Sequence, residues 1–282
     1  MTTTVTAPTV DTRHTMPIRV ELRRQLLRRR TQVAFGLIAA LPVILWIAFT
    51  VAPAGPPTGS LNLVDLAKGS GANFAVFTLF ASASFLLVVV VALFFGDTVA
   101  SEASWSSLRY LLAAPIPRAR LVRQKAIVAG LLSLAAIVLL PVVALLVGAI
   151  AYGADDLVSP TGESLTFWTG AVRLLLGAVY LALYLGWVAG LALLLSVSTD
   201  APLGAVGGTV MVAIVSQILD QITALEGLRD YLPTHYGTAW ANLLATDVDW
   251  DAMTRGIFSS LLYATVLGGL AVWRFTRKDI TS

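Results

Sequence analysis

Six long apolar stretches, separated by short breaks rich in glycine, proline and aspartate, dominate the 282-residue sequence. They cover residues 33–51, 74–95, 126–151, 170–195, 203–222 and 257–273. An α-helix needs about 20 apolar residues to cross the hydrocarbon core of a bilayer, and about 17 suffice at the low end. The pattern therefore predicts an all-α polytopic membrane protein with six transmembrane helices, in a domain of residues 33–273.

The composition agrees with lipid as the solvent for most of the chain. Hydrophobic residues make up 57% of the sequence and charged residues only 12%, whereas a soluble domain carries about 25% charged residues. The net charge of +3 is too small to indicate nucleic acid as a partner. The sequence has no cysteine, which excludes disulfides, thiolate metal sites and a cysteine nucleophile.

Lysine and arginine are distributed unevenly between the two sides that six spans would create. Fifteen of the 19 lie in residues 13–30, 96–125 and 274–282, which share one side. The loops of the other side lean acidic, and the basic residues assigned to that side are Lys68, Arg173, Arg229 and Arg255. Because basic loops stay in the cytoplasm, we expect both termini to be cytoplasmic, with residues 274–282 as a tail, in a multi-pass protein of the cell (inner) membrane.

The chain before the first span is expected to lie outside the bilayer core. Residues 1–16 form a threonine-rich tail that predicts disorder, and the apolar run that follows begins too late and is too long for a cleaved signal peptide. In residues 17–32 and directly after them, Ile18, Leu22, Leu26 and Val33 fall on one helical stripe with arginines elsewhere. This pattern favours an amphipathic helix on the anionic inner leaflet. A plain positively charged anchor is the alternative.

The loop between the second and third spans, residues 96–125, is longer than a simple connection requires. Asp97 or Thr98 can cap the start of a short helix, and Glu102 would lie near the positive end of its dipole. The loop therefore predicts an ordered helix of its own.

One face of this predicted helix would be apolar and exposed, formed by Trp105, Leu108 and Leu112. Pro115 would end the helix, because the residue before a proline disfavours helical angles. Residues 118–125 then form a basic ramp into the third span. An exposed apolar face favours a partner groove or a bilayer surface.

The residues of this loop form a pattern that resembles the ABC-2 type transporter permease family. In that family a glycine at the end of span two precedes a glutamate, a Gly-Thr-Leu-like turn, a leucine pair, a proline, an arginine and a lysine. The residues here that are similar in order and spacing are Gly96, Glu102, Leu108, Leu111, Leu112, Pro115, Arg118 and Lys125. Ser106 and Ser107 stand where the family usually has Gly-Thr. The six-span layout and the basic N-terminal helix extend the resemblance along the chain.

The resemblance implies a specific architecture and function. Such permeases pair as dimers of the same or a homologous subunit, sit on two copies of a separate ATP-binding cassette ATPase subunit, and move substrate out of the cell. The loop after span two docks into the ATPase as a coupling helix. No cofactor is implied in this chain, because ATP and Mg²⁺ are held by the partner. The implied ATPase-coupling residues are Glu102, Trp105, Leu108, Arg109, Leu112, Pro115 and Arg118.

Catalytic motifs are missing from the sequence. It contains no Gly-x-x-x-x-Gly-Lys-Ser/Thr loop to hold ATP and no His-Glu-x-x-His spacing to hold a metal. The two histidines, His14 and His235, lie outside the predicted spans. We therefore expect a permease subunit that is not an enzyme and has no catalytic, cofactor-binding or metal-binding residue.

The resemblance also implies a substrate pathway, because it puts spans two and five along the dimer axis. The candidate lining residues are Phe77, Thr78, Ser84, Thr209, Ser216, Gln217 and Asp220. For Asp220, contact with cargo and a helix end at the lipid headgroups are both open. Arg173 is expected to extend outward from span four. A mostly apolar pathway favours an amphiphilic, lipid-like or drug-like substrate.

Residues 223–253 form an unusually apolar loop that is expected to enter the membrane surface. Pro233 and Gly237 would divide this 223–253 segment into two pieces. ABC-2 permeases often have re-entrant helices at this position, so the resemblance implies the same here.

Two other classes of protein are alternatives to an exporter permease. A secondary transporter is disfavoured, because the spans hold almost no carboxylates for ion coupling. A membrane scaffold or assembly subunit without transport would satisfy the same apolar pattern.

Overall fold

The computed structural model describes residues 17–51, 63–104, 117–158 and 163–277, and most of these residues are helical. The helices are α1 (Ile18–Leu26), α2 (Arg29–Val51), α3 (Leu63–Lys68), α4 (Gly71–Ala83), α5 (Leu86–Ser104), α6 (Arg118–Tyr152), α7 (Phe167–Tyr184), α8 (Gly186–Ser198), α9 (Pro202–Asp220) and α10 (Asp251–Arg277). Two 3₁₀ segments, Thr223–Tyr231 and Ala239–Leu244, precede α10. The antiparallel pair β1 (Leu157–Val158) and β2 (Ser164–Leu165) is a small departure from the predicted all-α class.

Five helical stretches within the described residues are long and apolar enough to cross a bilayer. They are α2, α6, the pair α7–α8, α9 and α10. A sixth crossing results if α4 and α5, which meet at an angle of 53°, count as one span. Each predicted apolar stretch falls on one of these six, so a mostly helical, multi-pass membrane protein is confirmed. Most of the helices extend beyond the apolar stretches, most clearly α10, which continues past residues 257–273 in both directions, whereas α9 ends at Asp220, before the end of the 203–222 stretch.

The helix bundle has two chemically different ends. The end that we call the basic end carries α1, the C-terminal end of α5 and the N-terminal end of α6. The opposite, acidic end carries α3, the β1–β2 pair and the 223–253 segment. The uneven charge distribution along the sequence thus becomes a difference between the two ends of the folded chain.

Two spans are interrupted in mid-course, and in each case another helix satisfies the backbone at the break. Between α4 and α5, Nε2 of Gln217 on α9 donates to the Ser84 carbonyl oxygen at 2.6 Å. Between α7 and α8, the hydroxyl of Ser260 on α10 donates to the Tyr184 carbonyl oxygen at 2.6 Å and accepts the Trp187 backbone N–H at 3.1 Å. Interrupted helices are tolerated at membrane depth where such partners replace the lost hydrogen bonds.

Glycines lie at the closest helix crossings. A Cβ atom added at Gly148 of α6 would lie 2.5 Å from the Gly71 carbonyl oxygen of α4, so the two backbones are in direct contact. A Cβ atom added at Gly190 of α8 would lie 3.0 Å from the Ala264 Cα of α10. Small residues allow this approach in transmembrane helices, and the Gly186-x-x-x-Gly190 pattern of the sequence lies at such a crossing.

The 223–253 segment covers the acidic end as two 3₁₀ pieces, with Pro233 and Gly237 between them as the sequence predicts. Trp240, in the second piece, is fully buried, and its ring centroid lies 4.4 Å from that of Phe80 on α4. The apolar residues of the segment therefore contribute to the core of the bundle as well as to its surface.

Arg173 of α7 connects its helix to the second 3₁₀ piece. Its Nη1 donates to the carbonyl oxygens of Leu243 and Ala245. The end of the 3₁₀ piece offers unsatisfied carbonyl groups within reach of this side chain, and the extension of Arg173 toward the outer surface stays a prediction.

Candidate functional site

The candidate site lies at the basic end, where two helices frame the predicted coupling loop. Helix α5 ends at Ser104 and α6 begins at Arg118, so these helices are the stems of the loop between them. The predicted coupling residues in that loop lie outside the described residues; they are Trp105, Leu108, Arg109, Leu112 and Pro115. The stems themselves, together with α1, form a dense group of charged side chains.

Glu102 of α5 is at the centre of this group. Its Oε1 lies 2.6 Å from Nη2 of Arg24 and 3.1 Å from Nζ of Lys125. Nη2 of Arg28 lies 3.5 Å from the same oxygen. Glu102 and Lys125 are 5% and 2% exposed, so this contact is shielded from water.

Glu21 of α1 completes a bridge between three helices. Its Oε1 lies 3.0 Å from Nη2 of Arg24 and 3.5 Å from Nζ of Lys125, and it accepts a hydrogen bond from Nε2 of Gln25 at 2.9 Å. Lys125 of α6 therefore contacts carboxylates of both α1 and α5. The N-terminal helix is held to the loop stems through its polar face.

Asp97 of α5 adds the connection to the start of α2. Nη1 of Arg28 lies 3.4 Å from its Oδ2, and Arg30 pairs with the same oxygen. Asp97 is buried, as are Glu21 and Glu102. We call the whole group the charge cluster, and its members are Glu21, Arg24, Arg28, Arg30, Asp97, Glu102 and Lys125.

Two sequence-based expectations for these residues are wrong. Asp97 and Thr98 do not cap a new helix, because α5 continues unbroken from Leu86 to Ser104 and the Thr98 hydroxyl donates to the Phe95 carbonyl oxygen within it. Glu102 accordingly lies near the negative, C-terminal end of a helix dipole. That position is unfavourable for a carboxylate, and the adjacent cations compensate for it.

The predicted helix of residues 17–32 is also divided. Helix α1 ends at Leu26 and α2 begins at Arg29, so Arg28 lies in the turn between them and Arg30 lies at the start of α2. Both arginines reach Asp97. The apolar positions Ile18 and Leu26 stay exposed, which suits contact with lipid. Sequence reasoning assigned the arginines to contact with the anionic inner leaflet, with a plain anchor as the alternative, and missed the role of Glu21, the one acidic residue of the segment.

The electrostatics of the cluster favour the ionised form of Glu21. Burial alone would raise the pKa of Glu21, but the positive charge of Lys125 and hydrogen bonds from Gln25 and Arg24 outweigh it, and the pKa lies below its ordinary value. Buried charges cost several kcal/mol each unless they are paired. The three carboxylates and four cations therefore stabilise the fold only when they stay together.

Further contacts extend the site to the remaining spans. The Ser196 hydroxyl oxygen of α8 accepts the backbone N–H groups of Val99 and Ala100 on α5, at 3.0 and 3.1 Å. Nη1 of Arg118, a predicted coupling residue, lies 3.4 Å from the Thr276 carbonyl oxygen of α10. Movement of the loop stems would therefore also displace α1, α8 and α10.

The predicted pathway residues fall into separate places. Ser84, Gln217 and Asp220 line one cavity of about 190 Å³, and the Ser216 hydroxyl lies 2.7 Å from that of Thr234 in its wall. Phe77 instead lines a second, mostly apolar cavity of about 700 Å³ at the acidic end.

Two other predicted pathway residues, Thr78 and Thr209, line neither of these two cavities. Their buried hydroxyls donate to carbonyl oxygens one turn earlier in their own helices, those of Phe74 and Ala205. Sequence reasoning also set aside His235 as a loop residue, whereas its Nδ1 lies 2.6 Å from Oδ1 of Asp220.

These features define the class of protein: a multi-pass helical membrane protein whose basic end holds a charge cluster with three buried carboxylates and a buried lysine. Residues 48–281 match the family described as "Protein of unknown function (DUF2705)", and the chain belongs to that family. No curated protein matches the chain. In the described residues, no group of three or more histidine or acidic side chains could hold a metal ion.

Proposed function

We propose that the chain is the transmembrane permease subunit of an ATP-driven exporter of the ABC-2 type, working with a separate ATP-binding cassette subunit. The observation that carries the proposal is the charge cluster, because it lies at the root of the 105–116 loop that the family resemblance assigns to ATPase docking. The chain itself would bind no nucleotide, and ATP with Mg²⁺ would be held by the partner.

The charge cluster is suited to transmitting force from the 105–116 loop to the helices at its root. A loop that only connected two spans would need no buried ion pairs at its root, and such pairs do not add much stability over apolar packing. What they provide is a rigid connection, since separating one partner leaves a buried charge alone at a cost of about 3–5 kcal/mol. A push on the loop would therefore move α1, α5 and α6 together.

The acidic end suits release of an amphiphilic cargo. The cavity of about 700 Å³ is lined by Phe77, Phe80 and Leu157 among other apolar residues, with Asn73 and Asn242 as polar neighbours. Such a lining favours lipid-like or drug-like molecules over ions. We propose that the basic end faces the cytoplasm, that a second permease subunit completes the pathway, and that transport proceeds toward the acidic end.

Purification of the tagged chain from its native membrane in mild detergent tests the proposal. We expect a P-loop ATPase to co-elute, and we expect the complex, but not the chain alone, to hydrolyse ATP. A stable complex without an ATPase would indicate a scaffold instead, and a lone chain active in transport would indicate a secondary transporter.

A pair of matched variants tests the role of the charge cluster in coupling. Glu102→Gln removes a buried charge at the loop root, whereas Glu163→Gln changes an exposed glutamate at the acidic end whose carboxylate accepts the Thr246 N–H. We expect Glu102→Gln to reduce transport per ATP hydrolysed while the ATPase stays bound, and Glu163→Gln to leave this ratio unchanged. Equal behaviour of the two variants would contradict the assigned role.

A further inference from the structure

The first 3₁₀ piece of the 223–253 segment, Thr223–Tyr231, is held to the bundle by polar contacts. None of its side chains is buried, whereas the second piece, Ala239–Leu244, buries three, with Trp240 the largest. Parts of a protein with few buried apolar contacts open at a lower free energy than its core. The first piece therefore depends on its polar contacts for its position.

The backbone of the first piece is strained at Glu226. Its φ of 43° and ψ of −128° lie in a region that residues with a side chain rarely adopt, and such a conformation persists only where surrounding contacts hold it. Arg229 provides two of these contacts, because its Nε donates to the Glu226 carbonyl oxygen and its Nη1 to the Asp220 carbonyl oxygen at the end of α9. Loss of another contact would therefore release strain as well as the piece.

His235, which follows the first piece, lies between two carboxylates. Its Nδ1 lies 2.6 Å from Oδ1 of Asp220, and its Nε2 lies 3.4 Å from Oδ1 of Asp230 in the first piece. An ionised carboxylate only accepts hydrogen bonds, and a neutral imidazole has a single N–H. Only the doubly protonated imidazolium can therefore present a donor to both carboxylates.

The turn that carries His235 is fixed to the bundle independently of the imidazole. The Thr234 hydroxyl lies 2.7 Å from that of Ser216 on α9, and the Tyr180 hydroxyl of α7 donates to the Tyr236 carbonyl oxygen at 2.8 Å. His235 thus belongs to the fixed part of the acidic end, and Asp230 belongs to the part that is held by polar contacts.

Loss of one proton would change the contact with Asp230 from attraction to repulsion. The shorter contact, to Asp220, keeps the remaining N–H, so the lone pair of Nε2 would then face the Asp230 carboxylate. The side chains of His235 and Asp230 are 26% and 52% exposed. The proton can therefore exchange with solvent.

The charged groups on the elements around His235 are mostly acidic. Besides Asp220 and Asp230, they are Glu226 and Arg229 of the first piece and, beyond Tyr236, the pair of Asp251 and Arg255 on α10. The carboxylates outnumber the guanidinium groups, so the local field attracts a positive charge. The neighbouring tyrosine hydroxyls are uncharged at neutral pH; they belong to Tyr180, Tyr184, Tyr231, Tyr236 and Tyr263.

We propose that protonation of His235 determines the position of the first 3₁₀ piece. The imidazolium joins Asp230 of this piece to Asp220 of α9 and holds the strained backbone in place. When one proton is lost, the first piece separates from α9, while the second piece stays in the core through Trp240. His235 also lines the cavity of about 190 Å³, so the same proton changes the charge of the cavity wall. This contact requires neither an ATPase nor a second subunit.

Hydrogen–deuterium exchange of the full chain in phosphatidylcholine nanodiscs tests the proposal. The contact needs the proton, so the protection it provides is present at low pH and is lost as the pH rises. After correction for intrinsic exchange rates, amides of the first piece should be about threefold better protected at about pH 5.5 than at about pH 8, as expected for one partly exposed ion pair. Histidines ordinarily titrate in this interval, and carboxylates and tyrosines do not.

The second piece, Ala239–Leu244, is the internal control and should show the same protection at both pH values. Equal protection of the first piece at the two pH values, or better protection at the higher one, would overturn the proposal.

The two histidines of the sequence provide a matched pair of variants. His235→Gln can donate to one carboxylate but cannot gain a charge, so it should abolish the pH dependence, and His14→Gln should leave it unchanged. Asp230→Asn, at a half-exposed position, should remove most of the pH dependence even if His235→Gln does not fold, which thermal unfolding shows. Full pH dependence in a folded His235→Gln or Asp230→Asn variant would overturn the proposal.

NMR observes the proton itself. In the His14→Gln variant, ¹⁵N-labelled histidine gives a single ring, that of His235. Both ring nitrogens should carry protons at about pH 5.5 and only one at about pH 8. A ring that kept the same protonation at both pH values would contradict a proton-dependent contact.

Discussion

Lys125 is the residue that joins the two halves of the charge cluster. Its Nζ lies within 3.5 Å of both Glu21 and Glu102, and 2% of the residue is exposed. Lysine is almost never buried to this extent unless it is paired. The position of this one ammonium group therefore determines whether two buried carboxylates are compensated.

Replacing Lys125 by methionine should destabilise the chain strongly. The variant keeps the length of the side chain but leaves Glu21 and Glu102 with fewer cations, and breaking a buried pair costs about 3–5 kcal/mol. Thermal unfolding in detergent should show a large decrease in Tm, while Lys68→Met at the acidic end should change it little.

The double variant Lys125→Met with Glu102→Gln should recover part of that loss. It removes the carboxylate that the lysine compensated, so the two substitutions should couple by about 0.5–3 kcal/mol. Strict additivity of the two changes would mean that these side chains do not interact as the 3.1 Å distance between them indicates.

Glu21 gives the cluster a defined pH response. Its pKa lies below the ordinary value of 4.5, so the folded state favours the ionised form. The stability that this group contributes is fully present above about pH 4.5 and is lost as the pH falls through the lower pKa of the folded state. The contribution of Glu21 should therefore be insensitive to pH in the neutral range.

Comparison of Glu21→Gln with the unaltered chain measures this response. The difference in Tm between them should be constant from about pH 8 to about pH 5.5 and should shrink at lower pH. Asp156→Asn, at an exposed position of the acidic end, is the control. A difference that grew toward acid pH would reverse the assigned sign.

At the scale of elements, the spans could be predicted but their interruptions could not. Each span needs a long apolar run because the hydrocarbon core has a fixed thickness, so the six stretches were visible in the sequence. No proline marks the break at Ser84, and its stabilising partner, Gln217, is far away along the chain. The same long separation hid the pairing of Glu21 with Lys125. Asp220 and His235 are only 15 residues apart, but their pairing depends on the course of the chain after α9.

The crossing of α4 and α6 offers a sharp test of helix packing. A Cβ atom at Gly148 would lie 2.5 Å from the Gly71 carbonyl oxygen, so Gly148→Ala must push two backbones apart and should cost about 1–3 kcal/mol. Gly268→Ala in α10, where no atom lies within 4 Å of the new Cβ, should be neutral or slightly stabilising. Equal Tm values for the two variants would contradict the close crossing.

At the scale of the whole molecule, the fold separates charge by end. The basic end combines α1, the loop stems and the end of α10, and the acidic end combines the β1–β2 pair with the 223–253 segment. The family match covers residues 48–281, so most of α2 and all of α1 lie before it. The N-terminal half of the charge cluster is thus contributed by a part of the chain outside the matched region.

The uneven distribution of basic residues predicts one orientation in the membrane. Reporter fusions after Asp156 and Asp249 should report the outside, and a fusion after Arg277 should report the cytoplasm, because basic loops are retained inside. An acidic-end fusion that reported the cytoplasm would contradict six spans in this orientation.

Crosslinking from position 105 tests the central claim most directly, that the loop between α5 and α6 docks on an ATPase. A photoreactive residue replaces Trp105 in cells, and the matched control replaces Trp168, an exposed tryptophan of the acidic end. We predict a crosslink from position 105 to a P-loop ATPase subunit and none to that subunit from position 168. Crosslinks from position 105 to lipid alone would contradict the exporter proposal and would leave the loop as an amphipathic segment of the bilayer surface.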